Sequence, residues 1–273
     1  MTTRIFQGDQ AIKGIEGDDR GLAYGDGVFE TLLVHRGQPV WWQEHWDRLE
    51  RGARVLGIPV PDQTLMRGEC DRLIDSAARA VLKIILTRGR GGRGYALPAD
   101  IKPTWILSLH DAPPPTPPDG IALRWCRTTL AIQPALSGIK HCNRLEQVLA
   151  RAEWSDPDIF DGLVCDTDGR VVSATSANVF VRIDGLWSTP AVQRCGVAGI
   201  ARDWLLRHLD RAMEAELTPA DIENAEAIFL CNAVRGILPV RRLGQRQWPF
   251  DADIEAIRRQ LLREQPAFSP EES

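Results

Sequence analysis

Five prolines fall within the ten residues Asp111-Ala112-Pro113-Pro114-Pro115-Thr116-Pro117-Pro118-Asp119-Gly120. Proline fixes φ and lacks a backbone N–H, so this stretch can extend neither a helix nor a sheet ladder and reads as a stiff linker. It divides the 273-residue chain into residues 1–110 and 121–273, with 111–120 between them. Each part is long enough to bury a core of its own.

Both parts mix strand and helix periodicities, which gives an α/β class in a two-domain (α+β) arrangement. Strands are expected at 3–7 and, after the turn-rich Gly17-Asp18-Asp19-Arg20-Gly21, at 28–34. Arg36-Gly37-Gln38 predicts a hairpin turn into a further strand at 40–42. Trp46, Leu49, Ala53 and Leu56 recur at spacings of three and four, as one face of a helix over 43–56 requires. A second helix is expected over 63–80, then buried strands at 81–87 and 104–109. Beyond the linker the pattern predicts strands at 121–127, 162–166, 178–183 and 227–231, and helices at 144–153, 199–209 and 253–263. No internal repeat is present, and residues 265–273 read as a disordered tail.

Composition removes several function classes. The formal net charge is −4, with both signs interspersed, and no basic stripe of the kind a phosphate backbone demands. A small polar metabolite is a better partner than nucleic acid. No apolar run is long enough to span a bilayer and no leader pattern opens the chain, so a soluble cytoplasmic protein is expected. Six cysteines without a C-x-x-C pair and five histidines without an H-x-x-x-H pair predict reduced thiols and no metal site.

Positive charge is carried by twenty-nine arginines and only four lysines, and no lysine follows Lys140. A desolvated lysine can lose its proton near neutral pH and form a Schiff base with an aldehyde; arginine cannot. Lys140 is therefore the candidate nucleophile. Two other motifs fail on context. Gly89-Arg90-Gly91-Gly92-Arg93-Gly94 matches G-x-G-x-x-G, but Pro98 and Pro103 leave no room for the helix that must receive a pyrophosphate, so a mobile arginine-bearing loop fits better. Ser137-Gly138-Ile139-Lys140 matches S-x-x-K without the K-T-G element that acylating serine enzymes also need. If Lys140 holds an aldehyde cofactor, pyridoxal 5′-phosphate (PLP) is the obvious candidate. Gly196-Val197-Ala198-Gly199-Ile200, small residues opening a helix, would offer its phosphate free N–H groups and the positive end of the helix dipole.

Gly25-Asp26-Gly27-Val28-Phe29-Glu30, Glu44-His45-Trp46-Asp47-Arg48-Leu49, Arg88 to Tyr95, Gly138-Ile139-Lys140-His141-Cys142-Asn143-Arg144-Leu145-Glu146-Gln147 and Cys231-Asn232-Ala233 together resemble the fold-type IV PLP enzymes of the class-IV aminotransferase family. The resemblance runs from about residue 20 to 240 and is strongest toward the family's aminodeoxychorismate lyase branch. It implies a small N-terminal α/β domain, a larger β-barrel-like C-terminal domain that contributes Lys140, a cofactor in the cleft between them, and a homodimer. The reaction implied is elimination from 4-amino-4-deoxychorismate, giving 4-aminobenzoate and pyruvate for folate synthesis. A D-amino-acid or branched-chain aminotransferase, or a non-catalytic PLP binder, stays open.

The same resemblance assigns roles. Lys140 would carry the cofactor and move the substrate proton, and Arg48 would pair with the cofactor phosphate. Val197, Ala198, Gly199, Ile200, Asn232 and Ala233 would complete the phosphate site, while Arg144 would lie near the ring hydroxyl. Phe29 would line the substrate site. Arg93 and Tyr95 would meet substrate carboxylates in the neighbouring subunit's active site. Thr31 would assist proton transfer. One position departs from the pattern: Ser173 stands where relatives place a glutamate facing the pyridine nitrogen. A hydroxyl supports a neutral nitrogen and a weaker electron sink, which favours elimination, driven by ring aromatisation, over transamination.

Overall fold

The computed structural model describes residues 2–269, and these group into two compact units. The first comprises Met1–Pro113 together with Ile139–Asn143, and the second comprises Pro114–Gly138 and Arg144–Ser273. The resemblance assigns Lys140 to the C-terminal domain. In the structure Ile139–Asn143 is grouped with the first unit, because its backbone is hydrogen-bonded to a strand there.

The first unit contains β1 (Thr2–Gln7), β2 (Gln10–Ile12), α1 (Arg20–Tyr24), β3 (Gly27–His35), β4 (Gln38–Pro39), α2 (Trp42–Leu56), α3 (Gln63–Ile74), β5 (Arg79–Thr87) and β6 (Thr104–Asp111). Its sheet has the order β2-β1-β6-β5-β3-β4, antiparallel throughout. Strands alternate faces, so Val28, Leu32 and Val34 of β3 share one face with Leu82, Ile84 and Leu86 of β5. That face forms one buried cluster with Trp46, Leu49 and Ala53 of α2 and Met66 and Cys70 of α3. Gly52 is small for a reason: a Cβ there would lie 3.1 Å from Val28 and 3.6 Å from Ile139.

Two sequence expectations fail here. Residues 40–42 are not a strand: Trp41 adopts φ 53° and starts α2, whose Trp42 stacks on Trp46 at 6.3 Å. The helix expected over 63–80 stops at Ile74, where Asp75 turns left-handed (φ 49°). The next residues are claimed by sheet pairing on both sides of β5, and long-range pairing overrides local propensity.

The second unit contains β7 (Ile121–Trp125), α4 (Leu145–Arg151), β8 (Asp161–Cys165), β9 (Val171–Ala174), β10 (Asn178–Ile183), β11 (Leu186–Pro190), α5 (Ile200–His208), β12 (Met213–Ala215), α6 (Pro219–Asn224), β13 (Ala227–Asn232), β14 (Gly236–Leu243), β15 (Arg246–Gln247) and α7 (Ala252–Glu264). Among the described residues the strand order is β12-β11-β10-β13-β14-β7-β8-β9, with β15 on β14. The sheet curls until its end strand β9 packs against β10, around Leu163, Val179, Val181, Ile228, Leu230 and Leu238. β14 carries Pro239 and is not expected from pattern alone, since proline interrupts a ladder. It is accommodated where β14 changes partners, from β13 up to Pro239 to β7 from Val240 onward. Of the tail, Pro266–Phe268 forms a 3-10 turn with Ala267 buried, and residues 270–273 lie outside the described residues.

Candidate active site

β3 organises the first unit's chemistry. The segment Ile139–Asn143 lies along its edge: Phe29 N–H donates to the Lys140 carbonyl (2.9 Å), Cys142 N–H donates to the Gly27 carbonyl (2.8 Å), and Val28 and His141 form an antiparallel bridge. The Lys140 backbone is thus fixed, and the Nζ of this half-buried residue stands 4.5 Å from the Phe29 ring centroid, within cation–π range. A second lysine, Lys83 of β5, reaches the same ring at 5.5 Å and lies opposite Thr31 in the ladder. Phe29 and Thr31, two residues apart, share the face of β3 turned away from the α2–α3 core. Structure therefore brings Lys140 to Phe29, and Thr31 shares that face of β3.

Glu30, between them, points the other way, into the core. Its carboxylate, 1 % exposed, accepts from Arg48 Nε (2.8 Å) and Nη2 (2.5 Å) and pairs with His45 Nδ1 (2.6 Å). Arg48 and His45 are one helical turn apart on α2 and are 5 % and 1 % exposed. Burial by itself raises the Glu30 carboxyl, but the Arg48 charge and its hydrogen bonds, aided by His45, outweigh that and hold it down at about 2. Burial lowers His45, and the positive charges of Arg48 and Lys140 lower it further against the pull of Glu30. His45 is therefore neutral at neutral pH and donates its Nδ1 proton to Glu30. That tautomer leaves Nε2 as a buried acceptor without a hydrogen-bond partner. Arg48, assigned by resemblance to the cofactor phosphate, thus belongs to the core face of β3 and is gripped there by Glu30.

Arg93 is exposed and Tyr95 is 85 % exposed. No helix follows the glycine-rich stretch, and the loop expected to be mobile is tethered by Arg20. This buried guanidinium donates to the carbonyls of Gly94 (3.0 Å), Tyr95 (3.4 Å) and Ala96 (3.4 Å). Arg20 is itself held by Asp26 (2.9 Å), which also binds Arg88.

In the second unit the start of α5 is built from backbone. Its N-cap, Gly199, makes no side-chain capping bond, so the first-turn N–H groups are left to other acceptors. The approach to the helix is braced by Gly138 N–H to the Gly196 carbonyl (3.0 Å), by Ala198 N–H to the Gly138 carbonyl (3.0 Å), and by Asn178 Nδ2 to the Val197 carbonyl (3.0 Å). A Cβ on Gly199 would stand 2.0 Å from Asn178 Oδ1. Ile200 is buried, and Val197 and Ala198 are half-buried.

Ser173 lies in β9 and donates its hydroxyl to the Ala174 carbonyl (2.8 Å). Buried Asp161 holds the turn that follows, accepting from the hydroxyls of Thr175 (2.5 Å) and Ser176 (2.6 Å). Asn232 Oδ1 accepts from the N–H of Val234 and Arg235, which closes the β13–β14 turn that contains Ala233. Arg144 is half-buried at the N-cap of α4. A cavity of about 280 Å³ lined by Gly120, Pro239, Trp248 and Phe250 includes none of these residues. Among the described residues no three His, Cys, Asp or Glu side chains cluster so as to hold a metal ion, and no helix is long and apolar enough to cross a membrane.

Sequence reasoning missed Glu30, His45, Lys83 and Asn178. Glu30 carried a signal, since it occupies the core-facing register of β3 between Val28 and Leu32, where a carboxylate needs a buried partner. Asn178 carried none, because its partner Val197 comes from a distant loop.

A lysine clasped to an antiparallel sheet beside a phenyl ring, with a glycine-based helix start in a second, curled-sheet unit, defines a class of protein that comparison identifies. Residues 27–243 match the family model described as amino-transferase class IV, and the chain belongs to that family. Within it, the chain is 34 % identical over 251 residues to the aminodeoxychorismate lyase of Vibrio harveyi, covering 89 % of this chain and 92 % of the relative. The crystal structure of 4-amino-4-deoxychorismate lyase from Pseudomonas aeruginosa superposes with a TM-score of 0.87 at 41 % identity, over 96 % of this chain and 99 % of that one. A D-alanine aminotransferase of Bacillus licheniformis is 25 % identical over 252 residues, 87 % of this chain and 85 % of the relative.

Proposed function

We propose that this chain uses PLP to convert 4-amino-4-deoxychorismate to 4-aminobenzoate and pyruvate, as an aminodeoxychorismate lyase in folate synthesis. The observation that carries the reading is Lys140 fixed on β3 beside Phe29, in a chain so similar to lyases of that name. The residues fit the cofactor. Lys140 suits its aldehyde, and the α5 start suits its phosphate through N–H groups that no side chain caps and a glycine that admits no Cβ. Gly138, bonded to that cradle, is separated from Lys140 in sequence by Ile139 alone.

When bound, PLP supplies a conjugated ring that draws electrons from the bonds to the substrate carbon bearing its amino group. Lys140 would hold the cofactor through its aldehyde and, as the nearby base, would take the proton from that carbon. Thr31, on the Phe29 face, assists this transfer, and Phe29 walls the substrate ring. Loss of the pyruvyl portion is driven by aromatisation. Arg48 and the residues from Val197 to Ile200 would hold the phosphate, the Asn232-Ala233 turn would add contacts to it, and Arg144 would serve the ring hydroxyl. Ser173 would stand toward the ring nitrogen, where a hydroxyl would support its neutral form.

Arg93 and Tyr95 recognise substrate carboxylates in the neighbouring subunit of a homodimer. Two exposed features support a second copy as the partner: Tyr95, and the apolar stripe Leu145, Val148 and Leu149 on α4 at 60–77 % exposure. Six free cysteines suit a reducing cytoplasm.

The test is to incubate the PLP-loaded protein with enzymatically generated 4-amino-4-deoxychorismate and no 2-oxo acid, following both products. Equimolar 4-aminobenzoate and pyruvate, reduced about 10³-fold or more in Lys140→Ala, is the expected result. No product from a protein that retains the absorbance of lysine-bound PLP overturns the reading in favour of an aminotransferase or a non-catalytic binder.

A further inference from the structure

The Glu30–His45–Arg48 cluster is larger than packing requires. A buried ion pair gains little over well-packed apolar side chains, and the surrounding positions of β3 and α2 are filled by Val28, Leu32 and Leu49. What a bidentate carboxylate adds is direction. It grips the Nε–Nη2 edge of the guanidinium at 2.8 and 2.5 Å, which fixes the plane of the group and the bearing of its Nη1 corner. His45 holds Oε2 of the same carboxylate at 2.6 Å, a second anchor independent of the guanidinium, so the carboxylate is restrained if Arg48 swings.

We propose that Glu30 is the positioning residue for Arg48: its buried carboxylate, steadied by His45, presets the guanidinium that meets the cofactor phosphate. This rests on the reading of Arg48 as a phosphate ligand. A preset donor loses little side-chain freedom when the phosphate arrives, so the benefit appears as cofactor affinity and only for a ligand that carries the phosphate.

The experiment strips the full-length protein of cofactor and titrates it with PLP and, separately, with pyridoxal, which lacks the phosphate, following the absorbance of the lysine-bound aldehyde. Glu30→Gln keeps the side-chain shape and removes the charge. The expected result is a PLP Kd roughly tenfold higher with the pyridoxal Kd unchanged. Equal weakening of both ligands assigns Glu30 to folding alone, and no weakening of either removes any role; each overturns the proposal. Glu30→Asp, which keeps the charge but retracts the carboxylate, serves if the glutamine variant does not fold, and the same loss of discrimination is expected. Arg48→Met separates the two levels of the argument. If it abolishes the preference for PLP while both Glu30 variants keep it, the positioning role alone fails. If Arg48→Met also keeps the preference, the phosphate reading itself fails.

Discussion

Around Lys140 the first unit works with side chains: a lysine amine beside a phenyl ring on one face of β3, and a carboxylate, a guanidinium and an imidazole locked together on the other. At the start of α5 the second unit works with backbone: N–H groups, small residues and a glycine pressed against Asn178. The first depends on which functional groups are present and how they are charged. The second depends on the absence of side-chain atoms at the helix start, where the proposed phosphate would approach. One region should therefore respond to charge and pH, and the other to the addition of a single methyl group.

The sharpest way to break this contrast is Gly199→Ala. The new Cβ would fall 2.0 Å from Asn178 Oδ1, so Asn178 must release the Val197 carbonyl or the helix start must shift. We expect a loss of about 1–3 kcal/mol in unfolding free energy, by the usual cost of overpacking, together with weaker PLP binding. Chemical denaturation and cofactor titration read both, and unchanged values would mean that the cradle is not tightly built.

The acid limb of stability probes the other region. Glu30 is depressed from 4.5 to about 2 in the folded chain, so it contributes stability that is complete above pH 4.5 and is lost as pH falls toward about 2. Glu30→Gln should be less stable than the parent at pH 7, and the gap should narrow as pH falls through that window. Parallel pH–stability curves for the two proteins would show that the buried charge makes no net contribution. Gly199→Ala should shift the curve without changing its shape.

Ser173→Glu is the smallest expected effect, because on the proposed reading it changes only the group offered to the ring nitrogen and leaves Lys140 and the start of α5 untouched. We expect lyase turnover to change by only a few-fold, roughly the scale of one altered hydrogen bond, while amino transfer to a 2-oxo acid becomes measurable. Unchanged elimination with no gain of transfer would sink the idea that Ser173 tunes the reaction.

Most strands and helices were legible because alternation and 3.6-residue periodicity survive in the sequence: residues 178–183 read as a strand and form one, and the stripe through Trp46, Leu49 and Ala53 forms α2. Pattern failed where tertiary pairing outweighed it, in the early end of α3 before β5 and in Pro239 within β14. Lys140 could be singled out from its rarity among arginines and from the motif around it. Its placement on β3 could not, because nothing in residues 139–143 states that Gly27 and Phe29 will pair with them.

The sequence by itself determined the two-part organisation, the family, the candidate lysine and the glycines that open α5, since each rests on local chemistry or on a motif written in consecutive residues. Only the tertiary structure decided that Glu30 faces the core and engages Arg48 and His45, that the Phe29 ring lies by Lys140, and that Asn178 braces the approach to α5. Such contacts join residues distant along the chain. Strand register and helix docking set them, and a linear pattern encodes neither by proximity.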